Sequence, residues 1–205
     1  MIQLYHYLDH LTDTSFAWHM AEHVVLLFIV PLLILLARPF ALFRAVAGKE
    51  LTARTVRATR PLHAITNPVA CLSITIGYLW IMHFSPLYEA ALENPWVHLG
   101  EHGLLVAVGL LFWIPVIAPP PLRPIAFPAR LLYLFLALPQ GALLALAIGS
   151  ARAPLYAHYA ALMPPAVALA DQANGAAVMW IAGGFIVFVA FLSTFAAWAA
   201  REAYA

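Results

Sequence analysis

The chain has 205 residues, of which 64% are hydrophobic and only 9% are charged, with a mean hydropathy of +0.89 and a net charge of +1. This composition excludes a water-soluble domain, because so few polar side chains cannot cover its surface. The basic residues are accounted for by membrane topology and inner lipid headgroups, so we expect membrane lipid, and no nucleic acid, as a partner. We expect residues 1–205 to form one integral membrane domain.

Five apolar stretches are long enough to cross about 30 Å of hydrocarbon as helices of roughly 20 residues. In chain order they cover residues 16–37, 67–84, 96–117, 131–149 and 175–199. The second is the shortest, and the fourth contains Pro139, which a membrane helix tolerates when its neighbours satisfy the freed carbonyl. The predicted fold class is therefore all-α, a polytopic bundle of about five transmembrane helices.

The basic residues predict the orientation of this bundle. Nine of the ten Lys and Arg residues fall on one side, namely Arg38, Arg44, Lys49, Arg54, Arg57, Arg60, Arg123, Arg130 and Arg201. Only Arg152 falls on the other side. By the positive-inside rule, the N-terminus lies outside and the C-terminus lies in the cytoplasm. We expect no cleavable signal peptide, because no basic segment precedes the first span and no small-residue cleavage site follows it.

With this topology, most of the nine histidines lie at the outer side of the membrane or in the outer third of a span. They are His6, His10, His19, His23, His83, His98, His102 and His158, whereas His63 alone lies on the cytoplasmic side. Ionisable groups within membrane segments are costly, so such a concentration indicates a functional site.

Two of the spans begin with the same motif, H-x-x-E-H. One contains His19 and His23, and the other contains His98 and His102. Imidazoles four residues apart share one helix face, with Cβ atoms about 6 Å apart, so both can reach a single ion. Imidazole suits copper, zinc, iron and nickel. A hydrogen-bonded helix cap or a water-facing rim is the alternative for either pair alone.

The glutamates of the two motifs, Glu22 and Glu101, are candidates to orient an imidazole N–H or to act as carboxylate ligands. The motif is also that of the inverzincin peptidases. Such a peptidase needs one copy and a distal carboxylate ligand, whereas this chain has two copies at membrane depth, so we disfavour that assignment.

Other residues at outer depth are further candidates. His83 is a candidate metal ligand at the end of the second span. Asp171 is expected to join the cluster, to cap the last helix as Asn174 also could, or to do both. His158, Tyr156 and Tyr159 are expected in an interfacial aromatic belt. Four methionines also lie at outer depth, namely Met20, Met82, Met163 and Met179. Their thioether sulfurs favour Cu(I). The single cysteine, Cys71, excludes an intramolecular disulfide and any paired-cysteine metal motif.

The ordered set of motifs resembles the CtaG family of membrane cytochrome c oxidase assembly factors. The matching residues are Trp18-His19-Met20-x-Glu22-His23, Trp80-x-x-His83-x-x-Pro86-Leu87-Tyr88, His98-x-x-Glu101-His102 with Leu-Phe-Trp113, Leu155-Tyr156 with Tyr159, and Asp171-Gln172 with Met179-Trp180. The resemblance implies a role in maturing haem–copper oxidase by handling copper at the outer face of a bacterial inner membrane. Oxidase subunits or copper chaperones are the implied partners, and a homo-oligomer is compatible with it.

Three functions are compatible with the pattern. The favoured one is a non-enzymatic, metal-binding assembly factor whose core ligands are His19, His23, His98 and His102, with copper as the expected metal and zinc or iron as alternatives. The second is a membrane metalloenzyme with an open metal position. The third is a haem-binding electron-transfer subunit, which we disfavour because axial ligands approach a haem from opposite faces.

Overall fold

The computed structural model describes residues 11–58, 65–118, 122 and 125–203, and no strand occurs among them. The helices are α1 (Phe16–Leu36), α2 (Pro39–Ala58), α3 (Pro68–Phe84), α4 (Pro86–Glu93), α5 (Pro95–Ile117), α6 (Phe127–Gly149), α7 (Ala157–Leu162) and α8 (Pro165–Ala203). His6, His10 and His63 lie outside the described residues.

Four of these helices, α1, α5, α6 and α8, are long and apolar enough to cross a membrane. The pair α3 and α4 passes the same test jointly but is bent by 70°, which gives four spans, or up to five if the pair is one span. The bend lies at Ser85, whose extended backbone (φ −122°, ψ 164°) is the conformation favoured before a proline. The all-α membrane bundle is thus confirmed, whereas its orientation stays a prediction.

The last membrane helix begins at Pro165, well before the predicted start at residue 175. Asp171 and Asn174 therefore lie inside α8, and the expectation that either caps it is wrong. The Asp171 carboxylate instead accepts hydrogen bonds from the Ser15 hydroxyl (2.7 Å) and the Phe16 amide (2.6 Å). An acidic group at a helix N-terminus is stabilised by the free amides and the helix dipole, so α8 caps α1 from the side.

The membrane helices form a ring in which α1 lies between α5 and α8, α8 packs on α6, α5 packs on α3, and α3 touches α6. The helices of the ring line a partly open cavity of about 90 Å³. Each of the five helices contributes to its wall, with His23 from α1, His83 from α3, Glu101 from α5, Leu144 from α6 and Met179 from α8. Histidine and carboxylate side chains are therefore directed into the ring rather than towards lipid.

Among the helix contacts that contain a glycine, the one between α1 and α5 is the closest. A Cβ atom at Gly109 would collide with the Leu27 carbonyl oxygen and the Pro31 side chain. Pro31 follows a π-helical turn, Val25–Ile29, and the Trp113 indole N–H donates to the Phe28 carbonyl across the seam at 2.8 Å. Small residues and satisfied carbonyls are what allow membrane helices to pack closely.

The outside of the bundle is apolar. Large side chains such as Leu33 (60% exposed) and Phe185 (66% exposed) lie on its surface. Such a surface is suited to lipid rather than to water. The helix α2 carries several of the basic residues and is broken at Gly48, whose φ of 74° is accessible to glycine without strain.

Substitution of Gly109 by Ala should force α1 and α5 apart and lower the free energy of unfolding by about 1–3 kcal/mol, the usual cost of overpacking. Gly103 is the matched control on the same helix, because a Cβ atom there meets nothing within 4 Å. Thermal unfolding in detergent measures both variants. Equal stability of Gly109→Ala and Gly103→Ala would show that the seam is not tightly packed.

Candidate metal centre

The two H-x-x-E-H motifs meet at the same end of the α1–α5 seam. Within each motif the rings are close, with centroids 4.3 Å apart for His19 and His23 and 4.1 Å apart for His98 and His102. Between the motifs, the centroids lie 5.2 Å apart for His19 and His98 and 5.5 Å apart for His23 and His102. The four imidazoles predicted to converge do so.

Two overlapping sets of side chains are arranged so that they could hold an ion. One is His19, His98 and His102, the other is His19, His23 and Glu101, and in each set the candidate ligand atoms lie within 4.8 Å of one another. A tetrahedral ion with bonds of about 2.0–2.1 Å holds its ligand atoms roughly 3.4 Å apart. Shifts of about 1 Å or less in the side chains would therefore close either set around an ion.

The burial of these groups also fits a cation. His19 is 1% exposed and Glu101 is 5% exposed. The Glu101 Oε2 and His102 Nε2 atoms are buried and have no hydrogen-bond partner among the described residues. The other Glu101 oxygen, Oε1, lies 3.8 Å from His23 Nε2. A buried carboxylate and an unpaired imidazole nitrogen are both costly, and a shared cation would satisfy both.

A hydrogen-bond chain sets the orientation of His19. The Tyr159 hydroxyl lies 3.2 Å from the Thr12 carbonyl oxygen and 3.0 Å from His19 Nδ1. The carbonyl can only accept, so Tyr159 donates to it and accepts from the His19 Nδ1–H. Burial raises the pKa of the Tyr159 phenol, which keeps this proton in place.

The tautomer of His19 then fixes the role of its second nitrogen. Nε2 carries the lone pair and lies 2.8 Å from His23 Nε2, which donates to it. Metal-binding histidines commonly use one nitrogen for the metal and donate the other N–H to an oxygen, and His19 has this arrangement.

The remaining predicted site residues lie around this cluster. His83 is buried and shares the ring cavity with His23 and Glu101. Glu22 is half-buried and interacts electrostatically with Glu101, but it belongs to neither ligand set. Asp171 is bound to the N-terminus of α1, as described above, and is also in neither set.

Sequence reasoning missed the role of Tyr159. The expectation of a membrane-interface belt is wrong for Tyr156 and Tyr159, because they are only 4% and 3% exposed and pack around Phe16. His158, on the same short helix, donates through Nε2 to the Asp13 carbonyl oxygen at 2.9 Å. The only signal in the sequence was that Tyr159 belongs to one of the motifs of the family resemblance.

Comparisons with known proteins agree with this resemblance. An uncharacterised protein of Mycobacterium leprae is 28% identical over an alignment of 205 positions, which covers 93% of this chain and 31% of that protein. Uncharacterised proteins of Mycobacterium bovis and Mycobacterium tuberculosis are each 25% identical over 204 residues, with the same coverage of 93% and 31%. The chain thus spans about a third of the length of these curated relatives. No solved structure matches it significantly. The sequence pattern of the cytochrome c oxidase caa3 assembly factor family, Caa3_CtaG, matches residues 1–201, and the chain belongs to this family.

Proposed function

We propose that this protein binds copper at its four-histidine cluster, on the outer face of a bacterial inner membrane, and takes part in cytochrome c oxidase assembly. The observation that carries the proposal is the convergence of His19, His23, His98 and His102 beside the buried carboxylate of Glu101 in a member of an oxidase assembly family. The curated relatives are about three times as long as this chain. Direct binding of this chain to oxidase subunits or copper chaperones is therefore part of the proposal.

The chemistry of the side chains favours copper among the metals that imidazole binds. Affinity at nitrogen and oxygen ligands rises along the first-row series to a maximum at Cu(II), and soft ligands favour Cu(I). The cluster offers imidazole nitrogens for either oxidation state. Glu101 would compensate the charge of the cation, and Tyr159 would hold His19 with its Nε2 lone pair towards the cation. Copper in this role is cargo, which the protein holds and passes on.

The charges at the two ends of the bundle support the outer location. The cluster lies at the N-terminal ends of α1 and α5. Basic residues follow the C-terminal end of α1, lie in the first turn of α6 and lie in the last turn of α8, with Arg38, Arg130 and Arg201 as examples. The positive-inside rule places that end in the cytoplasm and the histidine cluster outside.

Replacing His23 and His102 together by Ala should leave the protein inserted, because removing polar groups from a span lowers the cost of insertion. The amount of copper bound to the purified protein and the oxidase activity in the host membrane should both fall sharply, since each of the two histidine pairs loses one ligand. Excess copper should restore part of the activity by mass action. Metal analysis and oxidase assays measure the two effects.

The matched control is His158→Ala, which removes an imidazole whose nitrogen is bound to the Asp13 carbonyl. Normal copper content and oxidase activity in the double variant at wild-type expression would end the copper proposal. A Soret band in the visible spectrum of the purified protein would instead support a haem-binding subunit, and tightly bound zinc with turnover would support a metalloenzyme.

Tyr159→Phe should weaken copper binding by about 10–100-fold, the usual effect of losing an outer partner of a histidine ligand. The ring and its packing remain, and only the hydroxyl that orients His19 is lost. Tyr156→Phe is the matched control, because Tyr156 is equally buried and stacks on Phe16 at a centroid distance of 4.6 Å. Equal copper affinities of the two variants, measured by competition with a chelator, would contradict this role.

Single cysteines introduced into a Cys71→Ser background should report the orientation. A cysteine at Val46, which is 83% exposed in α2, should react with a membrane-impermeant maleimide only after the cells are opened. A cysteine at Ala153, at the opposite end of the bundle, should react in intact cells. The reverse pattern would place the histidine cluster on the cytoplasmic side and remove the outer-face part of the proposal.

A further inference from the structure

His83 and Met20 face each other beside the histidine cluster. His83 Nδ1 lies 2.7 Å from the carbonyl oxygen of Leu79, one turn earlier on α3. The carbonyl only accepts, so Nδ1 carries the proton of the neutral ring and Nε2 carries its lone pair. Nε2 lies 3.4 Å from the Sδ atom of Met20, a thioether sulfur that has no proton to donate.

This contact brings two lone pairs together without a proton between them. Met20 is 0% exposed and His83 is 6% exposed, so water does not separate the two atoms. A second proton on the His83 ring would introduce a buried charge, which is costly without a partner. A cation that binds both nitrogen and sulfur would turn the repulsion into two bonds.

The spacing of the two atoms fits such a cation. Metal bonds of about 2.0–2.1 Å to nitrogen and about 2.3 Å to sulfur, drawn from the two ends of the 3.4 Å N···S contact, meet at an angle of roughly 103°. This angle is close to tetrahedral.

We propose that His83 Nε2 and Met20 Sδ form a second metal site, selective for Cu(I), next to the four-histidine cluster. Thioether ligands select Cu(I), whereas Zn(II) prefers imidazole, carboxylate and thiolate. The site lies one residue along α1 from His19, and the same cavity that His83 lines is also lined by Met82 and Met179. Two further methionines thus line the cavity next to this site. The inference rests on the proposed function for its biological role, and its test separates the two.

The test uses the full chain, purified in detergent and kept anaerobic with a reductant. Cu(I) is titrated in competition with a chromophoric Cu(I) chelator, Zn(II) is titrated separately, and X-ray absorption identifies the atoms bound to Cu(I). The wild type should show a sulfur neighbour at about 2.3 Å. Met20→Leu should lose this sulfur signal and at least about tenfold in Cu(I) affinity, since even outer partners of a ligand are worth 10–100-fold.

Zn(II) binding should be unchanged in Met20→Leu, because the four-histidine cluster keeps all its ligands. Leucine has a similar volume, which is the kind of core change that is tolerated best. Met163→Leu is the matched control, because it removes a thioether that lies just after the end of α7, away from the His83–Met20 contact. This variant should bind Cu(I) like the wild type. His83→Gln is the second variant and should lose the same Cu(I) affinity through the nitrogen side of the pair.

Two results would overturn the inference. Cu(I) bound only by nitrogen in the wild type, or a sulfur signal that survives in Met20→Leu, would show that the His83–Met20 contact is packing alone. If copper binding is then still lost in the His23 and His102 variant, the proposed function stands without the second site. A wild-type protein that binds neither Cu(I) nor Zn(II) overturns both.

Discussion

The site depends on how closely α1 can approach α5. Gly109 leaves room for the Leu27 carbonyl and the Pro31 side chain, and the Trp113 indole N–H ties the same stretch of α1 to α5 through the Phe28 carbonyl. In a membrane, packing and interhelical hydrogen bonds must hold helices together, because lipid is as apolar as the side chains it competes with. This seam fixes the relative height of the two helices, and so it determines that the two H-x-x-E-H motifs meet.

Once the motifs meet, the cost of their polarity has to be offset locally. Glu101, His19 and His23 are buried, and His98 and His102 are half-buried, in a low-dielectric bundle where unpaired polar atoms are expensive. The protein satisfies part of this demand with its own groups, through the Thr12–Tyr159–His19–His23 chain. The unpartnered atoms of Glu101 and His102 are left in a position where a cation fits.

The short helix α7 and the first turns of α8 contribute more to the site than their length suggests. The short helix α7 supplies Tyr159, and the early part of α8 supplies Asp171, which accepts hydrogen bonds at the start of α1. Asp171 binds the start of α1, and Tyr159 binds His19 in its first turn and Thr12 just before the helix. The N-terminal end of α1 is thus held from two sides, which suits a site whose ligands must keep a fixed geometry.

The sequence by itself determined the helical membrane fold, the approximate spans and the two histidine motifs, because hydropathy and the i, i+4 spacing are local properties of the chain. It misplaced the start of α8, because Asp171 and Asn174 are residue types that cap the N-terminus of the helix that follows them. In the structure, the Asp171 carboxylate accepts hydrogen bonds at the start of α1, which is distant in the sequence. The sequence also assigned Tyr159 to a lipid interface, and it could not pair His83 with Met20, which are 63 residues apart. Only the tertiary structure decided these contacts, because the partner of a buried polar atom depends on which helix faces come together in the bundle.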